Sequence, residues 1–238
     1  VGMKCGGSDS FSGITANPLV GKISDKLAAY GASILLTEVP EMFGAEQQLL
    51  NRAKNKQVYQ SIIDLINNFK KYFIDHNKPI YENPSPGNKE GGISTLEEKS
   101  LGAIQKGGTS TINDVLEYGQ QIREKGLSLL NAPGNDGVSS TAMVVSGATL
   151  LLFTTGRGTP LGFPVPTLKI SSNSELYEKK RNWVDFDAGV LVSGEKKIQE
   201  LTDELFDFII KVASGEIKTK NEINGNREIS IWKTGVTL

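Results

Sequence analysis

Residues 17–37, NPLVGKISDKLAAYGASILLT, contain a helix followed by a strand. Asn17 and Pro18 are typical of a helix start, because asparagine caps free N–H groups and proline suits the first turn. Apolar residues then recur at helical spacing as far as Tyr30, and Gly31 ends the helix. The run SILLT (33–37) has the length and composition of a buried strand. This succession is the repeating unit of an α/β fold.

The same pattern extends through the rest of the chain. Further strands are predicted at 1–5, 126–131, 149–154 and 167–171, and helices at 45–54, 56–75, 95–105, 138–146, 175–180 and 196–214. The stretches 112–116 and 183–191 have no clear assignment, whereas the alternation in EISIW (228–232) predicts an edge strand. No repeat or linker divides the chain. The sequence therefore predicts one domain, residues 1–238, with an α/β fold: a Rossmann-like open, mostly parallel sheet flanked by helices.

Composition excludes several classes of function. The net charge of −1 over 238 residues excludes the broad basic field of a nucleic-acid-binding protein. One cysteine and one histidine rule out an internal disulfide framework and a Cys/His zinc cage built from this chain alone. The longest apolar run, 143–153, is too short to cross a bilayer, and the start VGMKCGGSDS lacks the features of a signal peptide. We therefore expect a cytoplasmic protein without nucleic-acid or membrane partners.

Four polar, glycine-containing loops follow predicted strands: CGGSD (5–9), TEVPE (37–41), APGNDG (132–137) and TTGRGTP (154–160). In an open parallel sheet such loops meet at one edge, where ligands bind. Arg157 stands between two glycines, and its planar guanidinium suits a carboxylate or a phosphate, although a solvated turn arginine would look the same. An inert buried cysteine and surface acids are the simple interpretation of the remaining groups. The alternative is a divalent transition ion, whose ligands would be Cys5, Asp9, Glu38 and Glu41.

A fifth polar stretch, NPSPGNKEGGISTLEEKSLGAIQKGG (83–108), joins a proline- and glycine-rich loop to a helix. Residues 83–92 are expected to be irregular, and Ser94 with Glu97 three residues later matches a capping box. A helix N-terminus favours anions, so the stretch is a candidate part of a binding site; a plain surface turn is the alternative. The helix is expected to turn three apolar residues inward: Leu96, Leu101 and Ile104.

Four motifs taken together resemble the C-terminal domain of the altronate/galactarate dehydratase family. They are CGGSDSFSGITANPLVG, LLTEVPEMFGAE, NPSPGNKEGGISTLEEKSLGAIQKGGT and FTTGRGTPLGFPVPTLKIS, in that order along the chain. The resemblance runs on to the closing EISIWKTGVTL, which looks more like the altronate branch than the galactarate branch. A sulfolactate sulfo-lyase subunit shares the broader pattern and is an alternative.

The resemblance implies a metal-dependent lyase, with Fe2+ or Mn2+ as cofactor, that dehydrates a sugar acid (altronate or galactarate) to a 2-keto-3-deoxy acid. It also implies further N-terminal domains of the same enzyme as partners, and a homo-oligomer. A module that only binds the substrate or holds an oligomer together is the competing interpretation.

Dehydration requires removal of the proton beside the substrate carboxylate, stabilisation of the negative charge that develops, and protonation of the departing hydroxyl. On this basis Lys89 and Glu98 are the candidate catalytic residues. The candidate substrate-binding residues are Asn88, Arg157, Thr155 and Ser8. The candidate metal ligands remain Cys5, Asp9, Glu38 and Glu41.

Overall fold

The computed structural model describes residues 1–234, and its core is a single seven-stranded sheet. All strand pairings in this range are parallel, and the strand order is β3-β4-β2-β1-β5-β6-β7. The predicted α/β fold with an open, mostly parallel sheet is therefore confirmed. The strands are Gly2–Cys5 (β1), Ser33–Leu36 (β2), Ile112–Leu116 (β3), Gly126–Leu130 (β4), Leu151–Thr155 (β5), Thr167–Ser171 (β6) and Phe186–Asp187 (β7).

Helices cover both faces of the sheet. They are Ala16–Ala29 (α1), Glu46–Leu50 (α2), Lys56–Asp75 (α3), Pro86–Glu90 (α4), Leu96–Ile104 (α5), Asp136–Val145 (α6), Ser174–Lys179 (α7), Val190–Ser193 (α8), Ile198–Ala213 (α9) and Lys220–Asn224 (α10). Short 3₁₀ turns occupy Val39–Met42 and Gln105–Gly107. No helix in residues 1–234 is both long and apolar enough to cross a membrane.

The core lies on the two faces of the sheet. On one face, apolar side chains of α1, α3 and α9 pack against β1, β2, β4, β5 and β6 as a single cluster. On the other face, Ala142 and Met143 of α6 pack against Leu151 and Phe153 of β5. The central strands are apolar on both sides because helices bury them on both sides, as is usual for parallel sheets.

The chain changes direction at β1. After β1 it builds β2, β3 and β4 to one side, and it then returns to place β5, β6 and β7 on the other. β1 and β5 are therefore adjacent strands from which the chain continues to opposite sides of the sheet. In open α/β sheets a ligand crevice forms at this kind of switch point, beyond the carboxyl ends of the strands.

The stretch 83–108 differs from expectation in three ways. Residues 86–90 are the short helix α4, capped by Ser85, and not irregular chain. Thr95, not Ser94, caps α5 by accepting a hydrogen bond from the amide of Glu98, because the chain enters the helix one residue later than predicted. Leu101 is 40 % exposed and does not face the core.

Two further elements were predicted wrongly. The helix expected over 45–54 shrinks to Glu46–Leu50, because turns occupy its ends. Residues 228–232 pair with no strand of the sheet, since their backbone is bonded to a loop and to side chains instead. The last four residues of the closing motif, 235–238, lie outside the described part of the chain.

Candidate active site

The four loops predicted to meet do so. They line a cavity of about 1090 Å³ at the carboxyl edge of the sheet. The loops after β1, β2, β4 and β5 contribute residues 5–7, 38–41, 133–137 and 157–159, and the α4 region contributes Ser85 to Asn88. The sheet topology thus brings together polar groups that are far apart in the sequence, from Cys5 to Thr159.

A thiol and two carboxyl groups form the buried floor of this cavity. Cys5, at the end of β1, donates its Sγ–H to Oε2 of Glu41 at 3.1 Å, and Oε2 of Glu38 lies 3.8 Å from the same sulfur. Glu38 adopts a left-handed backbone conformation with φ of 69°. That conformation is uncommon for a residue with a side chain and clusters at functional sites.

Three buried lysines surround these acidic groups. Lys4 donates to Oε1 of Glu38 at 2.5 Å and to Oδ1 of Asp136 at 2.7 Å. Lys99 donates to Oε1 of Glu41 at 2.7 Å, and Lys106 lies 2.9 Å from Sγ of Cys5. Three lysines therefore face three carboxyl groups and one thiol. We call these seven residues the acid–lysine cluster: Lys4, Cys5, Glu38, Glu41, Lys99, Lys106 and Asp136.

The two buried glutamates have different proton affinities. Burial, reinforced by the charge of Glu41, raises the pKa of Glu38 to about 7. Burial acts in the same direction on Glu41, but the ammonium groups of Lys99 and Lys106 outweigh it and lower the pKa of Glu41 to about 2. Neighbouring carboxyl groups with pKa values driven apart are typical of acid–base sites.

The thiol and two of the lysines are also shifted. Burial, and then the charge of Glu41, raises the pKa of the Cys5 thiol. Burial opposes the charged form of Lys4, yet Glu38 and Asp136 raise its pKa above the ordinary range. Burial likewise opposes the charged form of Lys99, but Cys5 and Glu41 raise its pKa. The raised pKa values favour the ammonium form of both side chains.

The donor set fits a divalent ion. One ligand atom from each of Cys5, Glu38 and Glu41 lies within 4.8 Å of the other two, which allows a single ion to contact all three. Thiolate and carboxylate are suitable ligands for first-row transition ions. The same atoms contact Lys4, Lys99 or Lys106, so the ammonium groups would become the ion's neighbours.

Asp9, the fourth candidate ligand, does not belong to this donor set. Its Oδ1 accepts hydrogen bonds from the hydroxyls of Ser12 at 2.8 Å and Ser172 at 2.7 Å, and its Oδ2 accepts from Nδ2 of Asn173 at 3.0 Å. Both carboxylate oxygens of Asp9 are therefore occupied by hydrogen-bond donors of the protein. Asp9 ties the loop after β1 to the loop after β6.

Arg157 lines the cavity as predicted. Its side chain is half exposed, with Nη1 lying 3.3 Å from Glu90. Gly87 makes room for it, because a Cβ there would lie 2.3 Å from Nη1. Thr155 is buried, and its hydroxyl accepts from the amide of Gly158 at 2.9 Å, so it shapes the turn that carries Arg157.

Asn88 lines the cavity, but its amide is occupied. Nδ2 donates to the carbonyl oxygen of Ser8 at 2.9 Å, and Oδ1 accepts from the hydroxyl of Ser85 at 2.8 Å. Asn88 therefore holds α4 against the loop after β1. Lys89, the next residue, is exposed and is not part of the cavity wall, because α4 turns it towards solvent.

Ser8 and Glu98 line a second, smaller cavity of about 520 Å³. Lys99 separates the two cavities and donates to the Ser8 hydroxyl at 3.2 Å. Glu98 accepts from the amide and hydroxyl of Ser94, and these bonds lower its pKa. The structure places Glu98 at the start of α5, outside the main cavity.

Four residues of the acid–lysine cluster were not expected from the sequence: Lys4, Lys99, Lys106 and Asp136. Two signals point to them in retrospect. Lys4 interrupts a buried strand, where an unpaired charge is unfavourable. Lys99 and Lys106 are seven residues apart, a spacing that puts both on one side of a helix. Asp136 lies within the loop APGNDG, whose general position was predicted.

Fold and site together define an α/β domain with a cavity, lined by charged and polar side chains, at the carboxyl edge of a parallel sheet. Sequence comparison gives its family. A family model described as "D-galactarate/Altronate dehydratase, C-terminal" matches residues 1–237, and the chain belongs to this family.

Curated relatives agree with the family assignment. The chain is 56 % identical over 238 residues to the altronate dehydratase of Bacillus subtilis and 54 % identical over 237 residues to that of Escherichia coli. Each alignment covers 100 % of this chain and 48 % of the relative. The galactarate dehydratase (L-threo-forming) of Escherichia coli is 43 % identical over 220 residues, covering 92 % of this chain and 42 % of the relative. The chain thus spans about half the length of the curated relatives it matches.

Proposed function

We propose that this chain is the C-terminal domain of a metal-dependent D-altronate dehydratase, a hydro-lyase that converts altronate to 2-keto-3-deoxygluconate and water. The acid–lysine cluster at the floor of the main cavity is the observation that carries the proposal, because its charges suit a carbanion-like intermediate. The identity to altronate dehydratases, higher than to the galactarate enzyme, favours the altronate branch.

The chain's own residues supply binding and proton transfer in this proposal. Arg157 holds the substrate carboxylate through its planar guanidinium. Asp136 is 40 % exposed and is bonded to Lys4. It is the candidate base for the proton beside the carboxylate. Lys4 would remain charged next to it and limit the repulsion between Asp136 and the negative charge that develops. Asp136 and Arg157 replace Lys89 and Glu98 as the residues we place at the reacting atoms.

The proposed cofactor is Fe2+ or Mn2+, held by Cys5, Glu38 and Glu41. When bound, such an ion acts as a Lewis acid on the substrate carboxylate and on the departing hydroxyl. The three lysines would hold the ligand side chains in place as their hydrogen-bond donors. The thiol of Cys5 would have to lose its proton to become a ligand, because the thiolate is the form that binds metals.

The proposal extends to partners and location. Because the relatives are about twice as long as the chain, we propose that further domains of the same enzyme complete the site above the cavity. We also propose a homo-oligomer in the cytoplasm, where a buried free thiol such as Cys5 stays reduced.

An activity assay tests the proposal. The full-length enzyme and the isolated chain are each incubated with Fe2+ or Mn2+ and D-altronate, and formation of 2-keto-3-deoxygluconate is followed. We expect turnover by the full-length enzyme. Absence of turnover with either ion contradicts the proposal. Galactarate turnover without altronate turnover would instead favour the galactarate branch.

A second assay separates catalysis from binding. If the chain is only a binding module, altronate will raise the melting temperature of the isolated chain while neither Asp136→Asn nor Cys5→Ser changes turnover by the full-length enzyme. If the chain carries the chemistry, both substitutions will lower turnover.

A further inference from the structure

The segment 226–234, which we call the strap, lies against α6 and against residues that follow β3 and β5. Its amides are bonded at every second residue to a different part of the domain. The three bonds run from Glu228 N to Gly162 O at 2.8 Å, from Ser230 N to Thr141 Oγ1 at 3.0 Å and from Trp232 N to the Tyr118 hydroxyl at 2.9 Å. The strap is therefore fixed along its length.

In an ordinary edge strand the apolar side chains face the protein and the polar side chains face solvent. At residues 229–231 of the strap this order is reversed. Ile229 and Ile231 are 65 % and 73 % exposed, whereas Ser230 between them lines the main cavity. A hydroxyl rather than an apolar group faces the cavity. Ser230 lines the cavity, and no residue in 1–234 forms a hydrogen bond with its hydroxyl.

Ser230 meets the start of α6 at a glycine. A Cβ on Gly137 would lie 2.6 Å from Oγ of Ser230, closer than side-chain atoms approach one another. The missing side chain lets the strap bring its hydroxyl against α6. Asp136, the neighbour of Gly137, adds a partly exposed carboxylate to this wall of the cavity.

The charges at this wall are unlike those at Arg157. Lys4, the ammonium bonded to Asp136, is shared with Glu38, so one cation serves two carboxyl groups. Ser230 itself is neutral and can both donate and accept a hydrogen bond. A second substrate carboxylate placed at Ser230 would lie near Asp136, whose salt-bridge partner in residues 1–234, Lys4, is already shared with Glu38, whereas a substrate hydroxyl could bond to Ser230.

We infer that Gly137 and Ser230, the part of this wall next to the candidate base Asp136, bind the uncharged hydroxyl end of a monocarboxylic sugar acid, and that the nearby Asp136 carboxylate disfavours a second substrate carboxylate there. This inference rests on the proposed function. It assigns Ser230 as a specificity-determining residue and explains how the same cavity would prefer an aldonate over an aldarate.

The test uses the full-length enzyme with Ser230→Ala and Ser230→Lys. Ser230→Ala should raise the KM for D-altronate about three- to tenfold, the effect of one neutral hydrogen bond, and leave kcat within about twofold. Ser230→Lys should lower the Ki of galactarate as a competitive inhibitor about three- to tenfold, because it supplies a cation for the second carboxylate. Ile229→Ala and Ile229→Lys are the matched controls, since that side chain points away from the cavity; both should behave as wild type.

A double variant provides a readout that a purely structural role would not change. Gly137→Ala should displace the Ser230 hydroxyl and raise the KM, but it should add little in a Ser230→Ala background. Independent effects of the two substitutions contradict the inference, as does a Ser230→Lys enzyme whose galactarate Ki matches that of Ile229→Lys.

Failure of the proposed function is distinguishable from failure of this inference. If wild type does not turn over altronate, the proposed function fails. The wall is then tested by calorimetry, as the ratio of the altronate and galactarate dissociation constants in wild type and Ser230→Lys. If wild type turns over altronate and all Ser230 variants match their Ile229 controls, the inference fails and the function stands.

Discussion

Lys4 and Lys169 occupy equivalent places on the same face of the sheet and differ in their partners. The strand register pairs Lys4 with Phe153, and Phe153 with Lys169, so the three side chains form one row across β1, β5 and β6. Both lysines are buried. The Lys4 ammonium contacts Glu38 and Asp136, whereas no residue in 1–234 accepts a hydrogen bond from the Lys169 ammonium.

The pKa values of the two lysines diverge for that reason. The carboxylates around Lys4 raise its pKa in spite of burial. Burial dominates at Lys169 and lowers its pKa to about 8, although Asp185 and Glu228 act in the opposite direction. The buried charge of Lys4 persists because the loops after β2 and β4 supply Glu38 and Asp136 as its partners. On β6, where no residue in 1–234 accepts a hydrogen bond from the ammonium, the same residue type is a weak point of the fold.

The largest expected effect comes from breaking the acid–lysine cluster. Glu41→Gln leaves the buried ammonium of Lys99 without its carboxylate, which should reduce the free energy of unfolding by about 3–5 kcal/mol. Urea unfolding measures this change. Glu46→Gln is the matched control, because Glu46 contacts Lys70 at 2.7 Å in a partly exposed pair, where a loss of no more than about 1 kcal/mol is expected. Equal losses in the two variants would contradict the account of the cluster.

The next effect is a pH dependence at Lys169. The folded-state pKa of about 8 lies below the ordinary value of 10.5, so the unfolded chain binds more protons between these two values. Stability must then rise with pH in that window. Lys169 should contribute about 2 kcal/mol to the rise in the free energy of unfolding between pH 7.5 and 9.5.

Other groups also titrate in this range, so the comparison is with a variant. The rise in the free energy of unfolding from pH 7.5 to 9.5 should be about 2 kcal/mol smaller in Lys169→Met than in wild type. Lys218→Met, at an exposed position, should keep the wild-type slope. Parallel curves for wild type and Lys169→Met would show that Lys169 is not a destabilising buried charge.

A smaller gain in stability is expected for Lys169→Met at neutral pH. Lys169→Met removes a buried ammonium without a hydrogen-bond acceptor and should raise the free energy of unfolding at pH 7 by about 1–2 kcal/mol. Thermal unfolding measures the gain. Turnover of altronate should stay unchanged, because Lys169 does not line the main cavity. A destabilised variant would mean that the ammonium stabilises the fold.

The smallest expected effect concerns Arg157. Arg157→Lys in the full-length enzyme replaces a planar fork with a point charge and should lower kcat/KM at least about tenfold, or about 1.4 kcal/mol. Arg181→Lys is the control, because that exposed arginine is paired with its neighbour Glu178 and does not line the main cavity. Unchanged kinetics for Arg157→Lys would mean that Arg157 is an ordinary solvated turn arginine without a role in substrate binding.

The fold was predictable because its signals are local. Apolar runs such as SILLT and TLKIS identify buried strands, and several of them alternating with predicted helices imply a parallel sheet. The polar β3 and the two-residue β7 carry too little apolar pattern to be recognised. The edge strand predicted at 228–232 is wrong for another reason. Apolar and polar residues do alternate there, but Ser230 rather than the isoleucines faces inward and lines the cavity.

The position of the candidate site was predictable from the sequence, but only some of its residues were. Loop placement after strands brought Cys5, Glu38, Glu41 and Arg157 to one cavity, as topology requires. Asp9 was misplaced because spacing cannot reveal that neighbouring hydroxyls and an amide fill its carboxylate. The lysines were missed because their pairing with distant carboxylates exists only in three dimensions.

The most direct test of the central claim is the turnover of D-altronate by full-length Cys5→Ser at saturating Fe2+. Serine preserves the size of the side chain and removes the thiol that lies against Glu41 and Lys106. If the acid–lysine cluster is the catalytic centre, kcat/KM should fall about 100-fold or more while the variant remains folded. Wild-type turnover by Cys5→Ser would contradict the claim and place the chemistry elsewhere in the enzyme.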